Sequence, residues 1–390
     1  MKHFKFLKIC IVVLSSLFIV SIALAGSLPK QWTEINPADF QYEGLTPSCS
    51  CAPIETTVPP TPPSANYPGK FTFFVKGGKT NNLVIFFQGG GACWDTMNCI
   101  YYQTFTQYEK ETLAMFSNDM AGYGIFDQTR KDNPFKDWGF VYIPYCTGDL
   151  FWGANDAEYN SAFGTYTVKH RGFVNFQAVL DYLKKNTNYP GKIFVTGSSA
   201  GGYGATLAFP YIKKDFQWSN VYLLGDASNG VLGGTFPTVG ILKWKVQMPE
   251  WIFPDGYDPS QTMPDLFMNF AAEYPWSRLA QYTTNYDGTQ THFLSVMKNI
   301  KRPDLWSPPT VDTIKTWHNT MLDYADTTAE ESPNYRYYIA EGTDHTILMS
   351  PKFYTEKSAG GMPFDDWVSA MISTPNKWEN LKCVDCLPLP

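Results

Sequence analysis

The chain has 390 residues, a net charge of −6 at pH 7 and many aromatic residues, with 12 Trp, 24 Tyr and 28 Phe. It contains no block rich in Lys or Arg, which excludes nucleic acid as an expected partner. The length is large for one domain, but a single sheet with long insertions can reach it. Aromatic rings can stack on sugars or line an acyl pocket, and most of them are expected in the core.

The first 25 residues have the three parts of a secretory signal peptide. Lys2, Lys5 and Lys8 precede an apolar run that ends in Ala23-Leu24-Ala25. A basic start, an apolar middle and small residues at the end are typical of a segment that is removed on export. An uncleaved anchor is the alternative, because the apolar run is near the lower length limit for a spanning helix. We expect cleavage after residue 25, no stable membrane insertion afterwards, and a secreted or periplasmic protein.

Seven cysteines follow the predicted signal peptide, and in an exported protein they are expected to form disulfides. Zinc is the alternative, because two of them have the Cys-x-x-Cys spacing of half a zinc site. A closed zinc site needs four ligands, and no second such pair follows. We therefore expect no metal, and one cysteine that stays free or pairs with another chain. The seven are Cys49, Cys51, Cys93, Cys99, Cys146, Cys383 and Cys386.

Residues 26–69 are rich in Pro, Ser and Thr and indicate an irregular N-terminal segment. From residue 70 to 390, strand-length apolar runs are separated by helical stretches. The first two runs are expected to be neighbouring strands, with Gly77-Gly78-Lys79 as their turn. The predicted strands are Phe71–Lys76, Leu83–Phe87, Phe140–Tyr145, Ile193–Thr196, Val221–Leu224, Ala280–Thr284 and Tyr335–Ala340.

Apolar residues at helical spacing predict one helix over residues 170–186 and a late helix over residues 364–372. Several strands are apolar at every position, as strands buried on both faces require. The alternation therefore predicts an α/β fold with a mostly parallel central sheet and helices on both faces. Residues 229–278, which are rich in Gly, Pro and Trp, interrupt the alternation and are expected to form an insertion over one end of the sheet.

The strongest functional motif is the Gly-Ser-Ser-Ala-Gly segment over residues 197–201. It follows a predicted strand directly, and a helical stretch comes next. In the nucleophile elbow of α/β-hydrolases, the chain turns sharply from strand to helix and projects a serine from the sheet edge. Small residues are needed there because side chains would collide with the strained turn. The motif therefore predicts Ser199 as a nucleophile, and an ordinary tight turn is the alternative.

A run of three glycines, residues 89–91, ends the strand Leu83–Phe87. In hydrolases of this type, such a run supplies one amide of the oxyanion hole, and the residue after the nucleophile supplies the other. We therefore expect Gly90, Gly91 and Ala200 to bind the oxyanion. An ordinary glycine turn is the alternative.

The base and the acid are inferred from chain order, which in this fold is nucleophile, acid, histidine. His345 follows the last strong strand and is the predicted base, with His318 and His292 as alternatives. His170 precedes Ser199 and is expected to be structural. Asp287 lies at the end of a strand between serine and histidine and is the predicted acid, which would orient the imidazole. Asp226, Asp304 and Asp344 are the alternatives.

With these residues identified, the chain resembles the pectin acetylesterase and Notum family over about residues 70–350. Gly89–Cys93 is similar to the family's glycine-rich segment, with Cys99 as a second cysteine. Ile143–Asp149 resembles its Pro-Tyr-Cys block, and Gly197–Gly202 resembles its nucleophile segment. Two further matching blocks are Gly225–Ser228 and Tyr286–Gln290, and the second of these resembles the segment that carries the family's acid.

The resemblance implies an α/β-hydrolase fold and hydrolysis of an O-acyl ester, with acetylated polysaccharide such as pectin as the leading substrate. Plant members are similar to pectin deacetylases, and the animal branch removes a fatty acyl group from a secreted protein. This sequence departs from the family at Gln88 and Ala92, with Trp94 beyond the cysteine as a candidate substrate contact. The acyl preference therefore does not carry over.

The sequence thus predicts a serine ester hydrolase that needs no metal and no organic cofactor. Two enzymes that use the same triad are alternatives, namely a lipase and a depolymerase of short-chain polyhydroxyalkanoates. A non-catalytic glycan-binding protein on a hydrolase scaffold is an alternative from another class. That protein would bind glycans through exposed Trp and Tyr and would not need Ser199.

Overall fold

The computed structural model describes residues 27–50, 69–105, 116, 119–162, 164–373 and 375–383. The predicted signal peptide, residues 51–68 of the Pro-rich segment, including Cys51, and Cys386 lie outside these ranges. None of the helices in the described ranges is both long and apolar enough to cross a membrane.

A nine-stranded sheet forms the centre of the molecule, in the order β1-β2-β4-β3-β7-β8-β9-β10-β11. The strand pairs from β4 through β3 to β11 are parallel, and only the pairs β1–β2 and β2–β4 are antiparallel. The mostly parallel sheet is therefore confirmed. The strands are β1 (Thr33–Ile35), β2 (Phe73–Lys76), β3 (Asn82–Phe87), β4 (Gly139–Ile143), β7 (Lys192–Ser198), β8 (Asn220–Asp226), β9 (Arg278–Thr284), β10 (Tyr335–Ala340) and β11 (Leu381–Lys382). A separate antiparallel hairpin contains β5 (Asn155–Ser161) and β6 (Gly164–His170).

The prediction that the first two apolar runs pair with each other is wrong. β4 lies between β2 and β3, antiparallel to the first and parallel to the second. The turn after β2 therefore crosses the start of β4, and a Cβ atom at Gly78 would overlap the backbone of Trp138 and Gly139. The short glycine turn reverses the chain, but it does not specify which strand fills the space between the two runs.

Helices and loops cover both faces of the sheet, as predicted. Alternate residues of β3 point to opposite faces, so Ile85 lies in one hydrophobic core while Val84 and Phe86 lie in the other. The first core includes residues of α1, α2, α3 and α5, and the second includes residues of α6. The helices are α1 (Gly172–Asn186), α2 (Ala200–Asp215), α3 (Met263–Glu273), α4 (Gly288–Lys298), α5 (Val311–Glu331) and α6 (Phe364–Ile372), with short helical turns at Met97–Tyr101, Gly124–Phe126, Phe236–Gly240, Ile241–Lys243, Pro303–Leu305, Pro351–Tyr354 and Pro375–Lys377.

The segment 229–278, which the sequence predicts as an insertion, has two parts. Its first part is irregular and packs large side chains, including Phe236 and Trp244, into the first core. Its second part contains α3, which connects β8 to the parallel strand β9. The strand–helix alternation is therefore kept at the end of the segment.

Disulfides constrain two loops that follow strands of the sheet. Cys49 is bonded to Cys146, which ties the N-terminal segment to the loop after β4, and Cys93 is bonded to Cys99 in the loop after the glycine run. Cys383 is also disulfide-bonded. The ligand atoms of Cys93, Cys99 and His170 lie close enough together to hold a metal ion, but a disulfide leaves no thiolate to bind one.

Candidate active site

A cleft opens at the carboxyl ends of the central strands. The edge beyond the carboxyl ends of parallel strands is where open α/β sheets bind ligands. Ser199, His345, Gly91, Ala200 and Trp94 all line this cleft. The structure therefore brings five of the predicted site residues together, from segments that are far apart in the chain.

Ser199 lies between the last residue of β7 and the first residue of α2. Its backbone has φ 57° and ψ −124°, a conformation that costs a residue other than glycine of the order of 1–3 kcal/mol. The turn is also close to β3, because a Cβ atom at Gly201 would overlap the carbonyl oxygen of Phe87. This strained strand-to-helix turn is the local geometry that a nucleophile elbow requires.

The predicted oxyanion segment passes the same cleft. Gly91 has φ 71°, and a Cβ atom there would overlap the carbonyl oxygen of Thr104. The amide of the next residue, Ala92, donates to that carbonyl at 3.2 Å. Ala200 is the first residue of α2, so its amide has no acceptor within the helix. Gly90 adjoins Gly91 in the chain but is not among the described residues that line the cleft.

Asp287 and His345 are hydrogen-bonded to each other. His345 Nδ1 lies 2.9 and 2.8 Å from the two carboxylate oxygens of Asp287. Asp287 is fully buried, whereas the side chain of His345 is 20% exposed. His345 Nε2 is buried and has no hydrogen-bond partner among the described residues. The carboxylate thus holds one ring nitrogen, and the other nitrogen remains available in the cleft that Ser199 lines.

The fold also explains why Asp287 has a fixed orientation. It is the residue before α4, and its Oδ1 accepts hydrogen bonds from the amides of Thr289 and Gln290. Its Oδ2 accepts a further bond from Gln290 Nε2 at 3.0 Å. A carboxylate at a helix N-terminus is stabilised by the unpaired amides and by the helix dipole. The same residue therefore begins a helix and orients a histidine.

The alternative histidines have other partners in the structure. His318 Nδ1 lies 2.7 Å from the carbonyl oxygen of Asn285, and His292 Nδ1 lies 3.2 Å from that of Trp306. Burial lowers the pKa of His292. His170 is fully buried, contacts Tyr159 and the Thr147 carbonyl, and has its pKa lowered to about 3, mainly by burial.

The alternative acids do not contact the His345 ring. Asp304 forms an ion pair with Arg302, and Asp344 forms one with Lys352. Asp226 is different, because it is fully buried and its side chain contacts the His345 loop through the amides of Ile347 and Leu348. It contacts the backbone of that loop, whereas Asp287 contacts the ring.

The rest of the cleft is largely apolar, and several of its lining residues were not identified from the sequence. Phe293 and Met297 of α4 line it together with Gln290. Their spacing of three and four residues could have placed them on one helix face, but that pattern predicts core residues equally well. A second apolar pocket adjoins the cleft. The two spaces share Leu150, Tyr203, Leu232 and Phe236 as lining residues.

Comparisons with known proteins confirm the predicted resemblance. The pectinacetylesterase family model matches residues 68–231, a range that includes the glycine run and Ser199. The palmitoleoyl-protein carboxylesterase NOTUM of Schmidtea mediterranea is 28% identical over 150 residues, which is 38% of this chain and 27% of that protein. Pectin acetylesterase 11 of Arabidopsis thaliana is 24% identical over 265 residues, which is 65% of this chain and 63% of that protein. The matched regions thus span less than two thirds of the length of these relatives.

A solved structure confirms the predicted fold class. The crystal structure of the Wnt deacylase Notum from Drosophila superposes with a TM-score of 0.58 at 16% sequence identity, and covers 81% of this chain and 91% of that chain. This similarity, together with the parallel sheet and the helices on both of its faces, identifies an α/β-hydrolase-like fold.

Proposed function

We propose that this protein is a carboxylic ester hydrolase in which Ser199, His345 and Asp287 form a catalytic triad. The observation that carries the proposal is the contact of the buried Asp287 carboxylate with His345 Nδ1 at 2.8 and 2.9 Å. His345 lines the same cleft as Ser199, whose backbone turn is strained. The similarity to pectin acetylesterases and Notum carboxylesterases supports the same chemistry.

The proposed reaction proceeds through an acyl-enzyme. Nε2 of His345 takes the proton from Ser199 Oγ as Oγ attacks the ester carbonyl carbon, and the imidazolium then gives that proton to the leaving alcohol. Water attacks the acyl-enzyme, gives its proton to His345, and releases the carboxylic acid as the proton returns to Ser199. In both steps, the amides of Gly90, Gly91 and Ala200 donate to the negative oxygen of the tetrahedral intermediate.

For the substrate, we propose an O-acyl ester of a large hydroxylated molecule, with O-acetylated polysaccharide as the first candidate. The support is the similarity to the Arabidopsis pectin acetylesterases, whose names state that substrate. Trp94 lines the cleft and packs against Phe236, with 4.5 Å between the ring centroids. Trp94 therefore forms part of the apolar lining of the cleft that contains Ser199, which supports its role as a substrate contact.

A longer acyl group is the second candidate, and the cleft itself favours it. Val231, Phe293 and Met297 give the cleft next to Ser199 an apolar lining, whereas an acetyl group adds only one methyl group to the carbonyl carbon. Each further buried methylene is worth about 0.8 kcal/mol. An enzyme with this cleft would therefore favour an acyl chain longer than acetyl, as a lipase or an acyl-protein esterase does.

We further propose that the protein works outside the cytoplasm. Two intact disulfides within the described residues support this location, because disulfides persist in oxidising compartments. The predicted signal peptide over residues 1–25 supports it as well.

Hydrolysis of p-nitrophenyl esters from acetate to palmitate tests the proposed function. We expect the mature protein to hydrolyse at least one of these esters, and Ser199→Ala to lower kcat by about 10³-fold or more. A peak at acetate would favour the deacetylase, and a peak at longer chains would favour the second candidate. A folded Ser199→Ala variant that keeps most of the activity would contradict the proposal. Glycan binding without any turnover would instead favour the non-catalytic alternative.

A further inference from the structure

Asp226 connects the two halves of the proposed site. Its carbonyl oxygen accepts a hydrogen bond from the amide of Ser199 at 2.7 Å. Its Oδ2 accepts bonds from Ser198 Oγ at 2.7 Å and from the amides of Ile347 and Leu348, both at 3.0 Å. One fully buried residue thus holds the nucleophile turn with its backbone and the histidine loop with its side chain.

The histidine loop needs such support because its backbone is strained. Thr346, between His345 and Ile347, has φ 66°. This left-handed conformation is a clear outlier for a β-branched residue and persists only where surrounding contacts determine it. The two amides that Asp226 binds follow Thr346 directly. Their bonds therefore act at the point where the loop would otherwise relax and move the His345 ring.

We propose that Asp226 is a positioning residue for the ester hydrolysis, which holds the His345 loop against the Ser199 turn. The inference rests on the triad proposed above. It assigns the two carboxylates different roles, because Asp287 orients the ring through Nδ1 and Asp226 sets the position of the whole loop.

The electrostatic surroundings of Asp226 are consistent with this role. Burial raises the pKa of Asp226 to about 6, against the opposing effects of the Ser198 hydroxyl, the amides of Ile347 and Leu348, and the charge of His345. Tyr282 on β9 also faces Asp226, and burial and the charge of Asp226 raise the pKa of Tyr282 well above its usual value. Loss of the Asp226 charge as the pH falls through about 6 would therefore weaken the support of the loop.

The first test is Asp226→Asn, which keeps the size of the side chain but removes its charge. We expect kcat for a p-nitrophenyl ester to fall about 10²-fold with KM changed less than about threefold, because a misplaced catalytic group lowers the rate of the chemical step. We also expect the acid limb of the pH–rate profile to move to lower pH, because asparagine does not titrate and the protonation of residue 226 near pH 6 no longer contributes to that limb.

Asp149→Asn is a matched control for the loss of a buried charge. Asp149 is also fully buried, its carboxylate accepts four hydrogen bonds, and burial raises its pKa to about 6. Its partners lie in the β4–α1 region and not in the histidine loop. We expect its kcat within about threefold of the wild type and an unmoved acid limb, since it changes fold stability alone. An Asp226→Asn variant that behaves like Asp149→Asn would overturn the inference.

Ser198→Ala keeps the test decisive if Asp226→Asn does not fold. It removes a hydrogen bond that stabilises the ionised form of Asp226, so Asp226 takes up its proton at higher pH. We expect the acid limb to move upward by about half a pH unit to one unit, opposite in sign to the Asp226→Asn shift. An unmoved limb in Ser198→Ala would also overturn the inference. The proposed function is tested by a different variant, because it is contradicted only if Ser199→Ala retains activity.

Discussion

At the scale of single residues, Asp287 has two sets of contacts that can be separated by substitution. Its carboxylate bonds His345 Nδ1, and its Oδ1 also accepts the first amides of α4. Asn is a good residue before a helix and keeps an oxygen for the amides. However, its side-chain NH₂ group cannot accept a hydrogen bond from Nδ1–H. It would instead donate to Nδ1 and favour the wrong tautomer of the imidazole.

We therefore predict that Asp287→Asn lowers kcat by about 10³–10⁴-fold and has little effect on the melting temperature. Asp287→Ala should lose the same activity and, in addition, about 1–2 kcal/mol of stability, because the helix loses its capping side chain. Steady-state kinetics and thermal unfolding of the two variants measure the two effects. Equal stability of the two variants would contradict the capping role, and a mild loss of kcat in Asp287→Asn would contradict the catalytic one.

The raised pKa of Asp149 predicts a pH dependence of stability. Its folded-state pKa of about 6 lies above the unfolded value of about 3.9, so the folded state binds the extra proton between about pH 4 and pH 6. The stabilising contribution is thus complete below about pH 4 and is lost as the pH rises through about 6. Asn does not titrate, so Asp149→Asn should cost more stability at pH 4 than at pH 7, by about 2–3 kcal/mol. Urea unfolding at both pH values measures this difference, and an equal cost at the two would contradict the prediction.

Three residues of the candidate site could be predicted from the sequence because each follows a strand. Ser199 lies in a recognisable motif, and His345 and Asp287 follow from chain order and strand ends. The structure brings them into one arrangement, although their roles remain proposals. The contacts of Asp226 could not be predicted in the same way. Its partners in the histidine loop are backbone amides 121 and 122 residues away, and no residue type at those positions indicates that an amide is needed.

At the scale of elements, the β7–α2 turn depends on its close approach to β3. A Cβ atom at Gly201 would overlap the Phe87 carbonyl, and backbone cannot move aside as a flexible side chain can. By contrast, a Cβ atom at Gly191, just before β7, would meet its nearest neighbour at 3.4 Å, which is ordinary contact. The two glycines therefore differ in how much space surrounds them, although both flank the same strand.

We predict that Gly201→Ala lowers stability by more than about 3 kcal/mol and disrupts activity by displacing Ser199. Gly191→Ala is the control, and its stability should change by less than about 1 kcal/mol. Thermal unfolding and esterase assays of both variants test the prediction. A fully active and stable Gly201→Ala variant would contradict the prediction, because it would show that neither activity nor stability depends on the close approach of the turn to β3.

The elements themselves could largely be predicted from apolar periodicity. β10 and α6 match their expected ranges, and the other predicted strands differ mainly at their ends. The order of strands in the sheet could not be predicted in the same way. β4 follows β3 by more than fifty residues and still separates it from β2, because the contacts that decide strand order are long-range. Local turn signals report where the chain reverses and not which strands become neighbours.

At the scale of the whole molecule, the cleft is bounded by residues from the sheet edge, from α4 and from segment 229–278. Val231 of that segment is buried and lines the cleft, whereas Val239 lies further along the same segment and is 48% exposed. These two valines allow the same substitution to be made inside and outside the cleft.

We predict that Val231→Trp fills part of the cleft and lowers the ratio of kcat/KM for the octanoate ester to that for acetate by about 10-fold or more. Val239→Trp should leave this ratio unchanged, because its side chain lies outside the cleft. The p-nitrophenyl ester series measures both variants. An unchanged ratio in a folded Val231→Trp variant would place the acyl group elsewhere.

The most direct test of the account is covalent labelling with an alkyl fluorophosphonate, followed by mass spectrometry of the peptides. An activated serine attacks phosphorus, forms a Ser–O–P bond and releases fluoride. We predict one label on Ser199, its absence in Ser199→Ala, and labelling slowed about 10²-fold or more in His345→Ala. A label on another serine, or no label on a protein that hydrolyses esters, would contradict the assignment of Ser199 as the nucleophile.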